Sequence, residues 1–345
     1  MKKKLTTESI PKQSLRIAMI VDAWFPKKNS GKHGVYGGGQ VHVNELSKRL
    51  HKRYTSQVEI IADPHHHMFT RLLWTFFTPL RIALMHQKKS FDLIHSHGFN
   101  AGLVGKITSL LLHVPVVHTV HGSHLMDQGD TSLKGQLERW LLAGIAYSAQ
   151  ITVSSTFLRY QRATKNISII RNGVEIQAFD AITAKKESSP TIIWVGRRDK
   201  VKALDVLQQA FEIVKQSVPD VKLNLVSGGR LSGKSLITAY KQAWVFCLPS
   251  YAEGQPITLL EAWAAKLPVV VTRVGENPHM VKHGINGYLV EPGNAQSLAQ
   301  ELLKLLQSPL KAKRLGLNGY AMAKRNYSWD KVVDQTYAVY ESLLH

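Results

Sequence analysis

Short runs of β-branched and aliphatic residues alternate with longer segments of helical period along this chain, and the alternation occurs twice. A strand that feeds a crossover helix returns to its own sheet as a right-handed parallel unit, so the pattern restricts the chain to α/β architecture with parallel sheets. In the first half the expected strands are Arg16 to Val21, Val58 to Ala62, Asp92 to His95, Pro115 to His118, Ile151 to Val153 and Ser168 to Ile170. The second half supplies Thr191 to Val195, Lys222 to Val226, Val245 to Leu248, Pro268 to Thr272 and Gly287 to Val290. Between the two sets, Asn172-Gly173-Val174 reads as a turn and the charged stretch Ala181 to Pro190 as a linker. A length of 345 residues exceeds what one core usually organises. Two domains are therefore expected, over residues 1–174 and 175–328. The last apolar-periodic segment, Trp329 to Leu343, follows the completed second sheet, and a C-terminal helix over 329–345 is expected to pack back on the first domain.

Composition narrows the class of partner. No stretch approaches the roughly 20 uninterrupted apolar residues that span a bilayer. The basic start Met1-Lys2-Lys3-Lys4 runs into Thr6-Thr7-Glu8-Ser9, and the apolar run Leu15 to Val21 contains Arg16, which fits a first strand better than a signal peptide. The single cysteine, Cys247, lies in the apolar run Trp244 to Leu248, so no intrachain disulfide can form and a buried thiol is expected. Both observations favour the cytoplasm. A formal charge of +20 points to a phosphate-rich partner: nucleic acid, a nucleotide-linked substrate or an anionic membrane surface. Zinc-finger spacing, an RNA-binding aromatic signature and a helix-turn-helix pattern are all missing, so nucleic acid is not expected.

In parallel sheets of this kind ligands bind beyond the carboxyl ends of the strands, where the strand order reverses; with the order 3-2-1-4-5-6 that lies between the first and fourth strands. At such a position in the second domain, the first strand empties into Gly196-Arg197-Arg198, with Lys202 near the start of the next helix. Arginine can hold a diphosphate with two parallel hydrogen bonds and lysine adds a point charge. The strand Trp244 to Leu248 then runs into Pro249-Ser250-Tyr251-Ala252-Glu253-Gly254-Gln255-Pro256-Ile257-Thr258-Leu259-Leu260-Glu261. Gly254 and Pro256 suit a tight loop with backbone N–H groups facing a ligand, and a helix from Thr258 onward would turn its positive end toward phosphate. A fully helical separation of Glu253 and Glu261 would be about 12 Å, against roughly 5 to 9.5 Å for the carboxyl pair of a glycoside hydrolase. The spacing suits instead one carboxylate for sugar hydroxyls and another for a ribose.

This constellation resembles the retaining glycosyltransferases of family 4, whose signature is two glutamates separated by seven residues after a Pro-Ser turn. The resemblance spreads over most of the chain: Gly37-Gly38-Gly39, Asp92 to Gly98, His118-Thr119-Val120-His121-Gly122, Val153-Ser154-Ser155 and Arg171 to Val174 in the first half, then Gly196-Arg197 with Lys202, Pro268 to Thr272 and Gly284 to Val290 in the second. It implies the GT-B fold, two Rossmann-like doubly wound domains facing a cleft, and transfer of a hexose from a UDP- or GDP-sugar to a glycan or lipid-linked acceptor in surface-polysaccharide or lipopolysaccharide assembly, with peripheral contact at the inner face of the cytoplasmic membrane. It puts Arg197 and Lys202 on the diphosphate, Glu253 on sugar hydroxyls, Glu261 on the ribose and His121 beside sugar and acceptor. Gly38, Gly39, Gly254, Gln255, Pro256, Ile257, Thr258 and Leu259 complete the donor side, and His97 and Asn172 stand on the acceptor side. No cofactor and no metal are implied, because side chains and a helix end meet the diphosphate charge.

Departures from the family pattern qualify this expectation. Between Gly229 and Pro249 only about twenty residues stand where a helix, a strand and a second helix are usual, so Ser235 to Ala243 supplies one helix and an edge strand is missing. Ala203 and Lys266 replace common glycines, and Gly275-Glu276-Asn277-Pro278-His279 replaces a Gly-Gly with a final glutamate. An inactive relative acting as a scaffold is the alternative reading. A dinucleotide-dependent oxidoreductase is disfavoured because Gly37-Gly38-Gly39 lacks the G-x-G-x-x-G spacing. The histidines His118, His121 and His124 at three-residue spacing, with His65-His66-His67 elsewhere, could suggest a zinc site, but such a site wants convergent third and fourth ligands, and a strand end entering a ligand crevice already accounts for His118 and His121. Met68 to Leu84, rich in Phe and Leu with Arg71 and Arg81, reads as a helix or helix pair broken at Pro79, packing on the sheet or lying in a membrane interface.

Overall fold

The computed structural model describes residues 14–22, 38–63, 68–122, 133–227 and 231–345. The first lobe holds β1 (Arg16–Val21), α1 (Gly38–Tyr54), β2 (Gln57–Ala62), α2 (Met68–Lys88), β3 (Leu93–His97), α3 (Phe99–Leu112), β4 (Val116–Val120), α4 (Leu133–Gly144), β5 (Ala149–Thr152) and β6 (Ile167–Ile169), after which α5 (Ile176–Asp180) packs in the core of the second lobe. The second holds β7 (Thr191–Gly196), α6 (Leu204–Ser217), β8 (Lys222–Ser227), α7 (Gly233–Gln242), β9 (Val245–Leu248), α8 (Ile257–Ala264), β10 (Val269–Thr272), α9 (Asn277–Met280), β11 (Tyr288–Val290), α10 (Ala295–Leu306) and α11 (Pro309–Asn326), after which α12 (Trp329–Leu344) ends the chain. Each of the eleven expected strands has a counterpart, shifted by at most two residues at an end.

All strand pairs are parallel, in the orders β2-β1-β3-β4-β5-β6 and β11-β10-β9-β7-β8. Both orders therefore reverse between a lobe's first and third strands, at β1/β3 and β7/β9, rather than between first and fourth as in a 3-2-1-4-5-6 sheet. In the second lobe the cause is direct: one helix, α7, connects β8 to β9, and β8 is left as the edge. Loss at the edge leaves the crevice between β7 and β9 in place.

Strand alternation divides the core of the first lobe. Ile17, Met19 and Val21 point to one side and pack with α1 and with Trp329, Val333, Tyr337 and Tyr340 of α12, while Ala18 and Ile20 point to the other, toward Trp74 and Ile82 of α2 and Ala101 and Val104 of α3. Thus α12 belongs to the hydrophobic core of the first lobe. The chain crosses between lobes twice, at Val174 and Ser328, and the crossings are joined by a parallel bridge with the Val174 N–H on the Tyr327 carbonyl at 2.7 Å. A Cβ at Gly173 would lie 2.8 Å from the Trp329 nitrogen, so only glycine lets the two crossings touch.

The structure decides one open reading and shows the backbone at two departures from the family pattern. The segment from Met68 is one continuous helix through Pro79, the first of the two readings and not the broken pair; the i−4 carbonyl left without its N–H is Thr75's, about two turns into the helix. Residues 203 and 266, where glycine is usual, hold left-handed backbone with alanine (φ 47°) and lysine (φ 62°). Cys247 is buried, and burial pushes its thiol up. His65-His66-His67, Gly37 and His124 lie outside the described residues.

Candidate active site

The carboxyl ends of the two sheets bring the ends of two helices together. Were Gly38 to carry a Cβ, that atom would face the Ile257 side chain at 3.7 Å, and a Cβ on Gly39 would face the His121 ring at the same distance. The first turn of α1 therefore stands against the first turn of α8, with a histidine of the first lobe beside them. Pro256 is the N-cap of α8 and makes no side-chain cap bond, so the N–H groups of Ile257, Thr258 and Leu259 are not capped from within. Leu259 can offer only its backbone N–H, because its side chain is fully buried in the second lobe's core.

Lys202 and Glu253 meet in this region. Lys202 Nζ donates to Glu253 Oε1 at 2.6 Å, and Ser250 Oγ donates to the same oxygen at 2.7 Å. The lysine comes from the short turn after β7, and the glutamate from the loop after β9, the two strands that flank the switch point. Gly254 is buried beside them, and Gly275 packs on its loop so closely that a Cβ there would lie 1.8 Å from the Glu253 carbonyl oxygen. Arg197 is not gathered with this pair: it is largely exposed and pairs with Asp199 at 3.2 Å. Glu261 lies one turn further along α8, where Tyr240 of α7 donates to its Oε2 at 2.8 Å. Burial raises the Glu261 carboxyl to about 7, with the Tyr240 hydrogen bond acting the other way. Tyr240 was not anticipated; the shortened segment places α7 directly against α8, which brings its hydroxyl into reach.

The first lobe contributes a cluster of imidazoles. His97 Nδ1 lies 3.0 Å from His121 Nε2, and the His42 ring stands edge-on to His121 with centroids 4.7 Å apart. His42 Nδ1 bonds Asn172 Oδ1 at 2.9 Å. All three rings are held neutral: burial lowers His42 to about 4, and burial together with neighbouring imidazoles keeps His97 and His121 well below the usual range. Among the described residues these three are the group whose spacing could hold a metal ion, each offering one nitrogen within 4.8 Å of the others. His118, expected at the same crevice as His121, is on the opposite side of the sheet, bonded to Ser96 Oγ at 3.0 Å and stacked on Tyr147. Neighbours of opposite parity on one strand cannot share a face.

The lobes are tied across the cleft by residues from both. The Asn172 N–H donates to Gln255 Oε1, and Asn172 Nδ2 donates to the Gln255 carbonyl at 3.0 Å, so Asn172 links His42 to the loop before α8. The fully buried Glu276 takes Ser154 Oγ at 2.8 Å and the Ser155 N–H at 3.2 Å on one oxygen, and the Arg171 guanidinium on the other. Sequence reasoning registered Glu276 only as a departure and missed His42. The available signal for His42 was its place one helical turn after Gly38 and Gly39, on the face of α1 that the next apolar residues mark as buried.

Two family models match this chain, one described as Glycosyltransferase Family 4 over residues 36–178 and one as Glycosyl transferases group 1 over residues 189–308. Together they take in more than half of it, one on each lobe. The chain belongs to the family 4 glycosyltransferases. Its relatives include the D-inositol 3-phosphate glycosyltransferase of Thermobifida fusca, 24% identical over 96% of this chain and 94% of that one, and the phosphatidyl-myo-inositol mannosyltransferase of Mycobacterium leprae, 26% identical over 90% and 94%. The first alignment needs 409 positions to place 96% of a 345-residue chain, so it opens gaps. In fold the glycosyltransferase matches the sucrose-phosphate synthase of Thermosynechococcus elongatus (TM-score 0.76, 19% identity, 95% of this chain and 99% of that one) and Anabaena HepE solved with UDP-glucose (0.73, 16%, 95% and 100%). The two-lobed parallel architecture is thus GT-B.

Proposed function

We propose that this glycosyltransferase moves a hexose from a UDP- or GDP-sugar to a glycan or lipid-linked acceptor, with retention of anomeric configuration, in the assembly of a surface polysaccharide or lipopolysaccharide at the cytoplasmic face of the membrane. The observation that carries the reading is the meeting of the first turns of α1 and α8 beside the Lys202–Glu253 pair and His121. The N-terminus of α8, which has no side-chain cap, and the Lys202 ammonium offer N–H donors and a positive charge to a diphosphate, and the carboxylate beside them suits sugar hydroxyls. Arg197, exposed and paired with Asp199, would supply the second charge to a phosphate oxygen. Glu261 accepts from the ribose, and Gly254, Gln255 and Thr258 shape the pocket around the leaving group. His97, His121 and Asn172 form the acceptor wall.

The acceptor hydroxyl oxygen bonds the anomeric carbon from the face that the leaving group occupies. The bond from that carbon to the diphosphate oxygen breaks, its electron pair leaves with the nucleoside diphosphate, and the hydroxyl proton passes to a phosphate oxygen. Charge thereby grows on the diphosphate, where Lys202, Arg197 and the N–H groups of α8 stand. No residue acts as nucleophile and no metal ion is needed. Neutral imidazoles suit this arrangement, since His121 can donate to or accept from a hydroxyl without bringing a charge. HepE, of the same fold, has been solved with UDP-glucose, which supports a UDP-sugar donor.

A thermal-shift screen with UDP, GDP, ADP and their sugars tests the reading. One base family should raise the melting temperature and support sugar transfer, and Glu253→Ala should abolish transfer. Silence from every nucleotide, or undiminished transfer by Glu253→Ala, would overturn it.

A further inference from the structure

Five histidines gather at β3, the end of β4 and the start of α1, and the fold does not use them alike. His95 bonds through both ring nitrogens, with the Tyr340 hydroxyl at 2.6 Å and the Thr119 hydroxyl at 2.7 Å. His118 is turned to Ser96 and Tyr147 on the other side of the sheet. His42, His97 and His121 each bond through one nitrogen, and the buried Nε2 of His97 has no hydrogen-bond partner. A native fold rarely leaves a buried imidazole nitrogen unpaired without a use for it.

Hydrogen bonds fix the tautomer of His42. Asn172 Nδ2 donates to the Gln255 carbonyl at 3.0 Å, which turns Asn172 Oδ1, an acceptor only, toward His42 Nδ1 at 2.9 Å. Nδ1 therefore carries the proton and Nε2 keeps its lone pair, the arrangement of a metal-ligating histidine whose second nitrogen is held by an oxygen. His97 Nδ1 and His121 Nε2 face each other at 3.0 Å, so they either share one proton or turn both lone pairs to one ion. A tetrahedral zinc with bonds of about 2.05 Å sets its nitrogen ligands about 3.3 Å apart. Each of the three rings places a nitrogen within 4.8 Å of the others, which leaves at most about 1.5 Å to close along the longest edge. No carboxylate joins the group among the described residues. Magnesium and calcium take oxygen ligands, whereas zinc, cobalt, nickel and copper ions suit imidazole.

We propose that His42, His97 and His121 together bind one divalent ion of the zinc type, and that the bound ion inhibits sugar transfer. Three imidazoles leave a fourth position for water or hydroxide. His121 is the partly exposed member and stands beside Gly39 at the cleft, which gives the ion its way in. Transfer itself uses no ion. A bound one takes the lone pairs of His97 and His121 from the acceptor wall and sets a double positive charge where uncharged rings stand. The inhibition rests on the transferase reading, whereas the binding does not.

Equilibrium dialysis of the full chain against Zn2+, and titration with Co2+ read by its visible ligand-field band, test the binding with no donor or acceptor present. One ion per chain should bind at this site, with the intense band of a tetrahedral cobalt centre. His42→Gln and His97→Gln should each weaken binding by about a hundredfold, and Asn172→Ala, which releases the His42 ring, by about tenfold. Alanines in place of His65, His66 and His67 should leave this binding unchanged, and a melting transition unaltered without metal shows each variant folded. Failure to retain an ion would overturn the site, as would an octahedral cobalt spectrum alone, or binding that disappears with the 65–67 run and persists in both folded cluster variants. In the transfer assay, added Zn2+ should slow the initial rate and a chelator should restore it. Transfer undiminished at zinc concentrations that fill the dialysed site would overturn the inhibition. A chain that transfers no sugar with or without chelator would overturn the transferase reading and leave the ion site standing on the dialysis result.

Discussion

Glu276→Ala removes one of the polar ties between the lobes. Its carboxylate is fully buried, takes the buried Ser154 hydroxyl and the Ser155 N–H on one oxygen, and binds the Arg171 guanidinium on the other. The Arg171 side chain is 38% exposed and can turn to water when its partner goes, so that pair is worth about 1 kcal/mol. Ser154 cannot, and losing a charged acceptor there and at the Ser155 N–H costs about 2 kcal/mol more. The total, about 3 kcal/mol, corresponds to roughly 6 °C in melting temperature at roughly 2 °C per kcal/mol. Differential scanning calorimetry of Glu276→Ala, Arg171→Met and the double variant should give a coupling energy of about 1 kcal/mol between the two positions. Glu276→Gln, which keeps an oxygen for the serines and drops the charge, should lose about half as much as alanine. A shift below about 1 °C for Glu276→Ala, or additive single variants, would refute the assignment of Glu276 as a tie between lobes.

Three further outcomes follow from the structure. Lys202→Ala should lower the transfer rate by about a hundredfold or more and remove most of the melting shift produced by the nucleotide diphosphate, as read by initial rates and thermal shift on the same preparation. Ala203→Gly and Lys266→Gly should each raise stability by about 1 kcal/mol in urea denaturation, because both positions hold left-handed backbone that a Cβ opposes. Stability should fall on acidification between about pH 6.5 and pH 4: His42, His95, His97, His118 and His121 are held below their ordinary value by burial, so the unfolded chain binds protons there that the folded chain does not. Asp22 and Glu261, both raised to about 7 by burial, act in the opposite sense over this window, but two acids oppose five histidines. Urea midpoints that stay level or rise toward low pH would contradict the buried neutral cluster.

Much of this was legible along the chain because the signals are local. A strand announces itself by β-branched residues over four to six positions and a crossover helix by its period, so the eleven strands and the approach to the switch point could be read without knowing where anything sits in space. The same holds for Lys202, Glu253 and the start of α8, which follow strand ends directly, and for the single short helix between β8 and β9. His118 and His121 show the limit of local reading. They lie three positions apart at one strand end, yet β geometry sends His118 against Tyr147 and leaves His121 at the cleft.

Residue types, strand count, charge and the glutamate spacing were enough to determine a two-lobed parallel α/β protein and to point to its strand ends as the candidate site. Only the tertiary structure decided that His42 of α1 joins His97 and His121, that Asn172 links them to Gln255, that Tyr240 takes Glu261, and that Glu276 ties Ser154 and Arg171 to the other lobe. These partners are separated by tens to more than a hundred residues, and no periodicity along a chain carries the distance between two lobes. Helix α2 has the same lesson: its apolar residues are plain in the sequence, but that Trp74 and Ile82 face the sheet while Phe69, Phe76 and Phe77 face outward became visible only when the helix was seen lying on it.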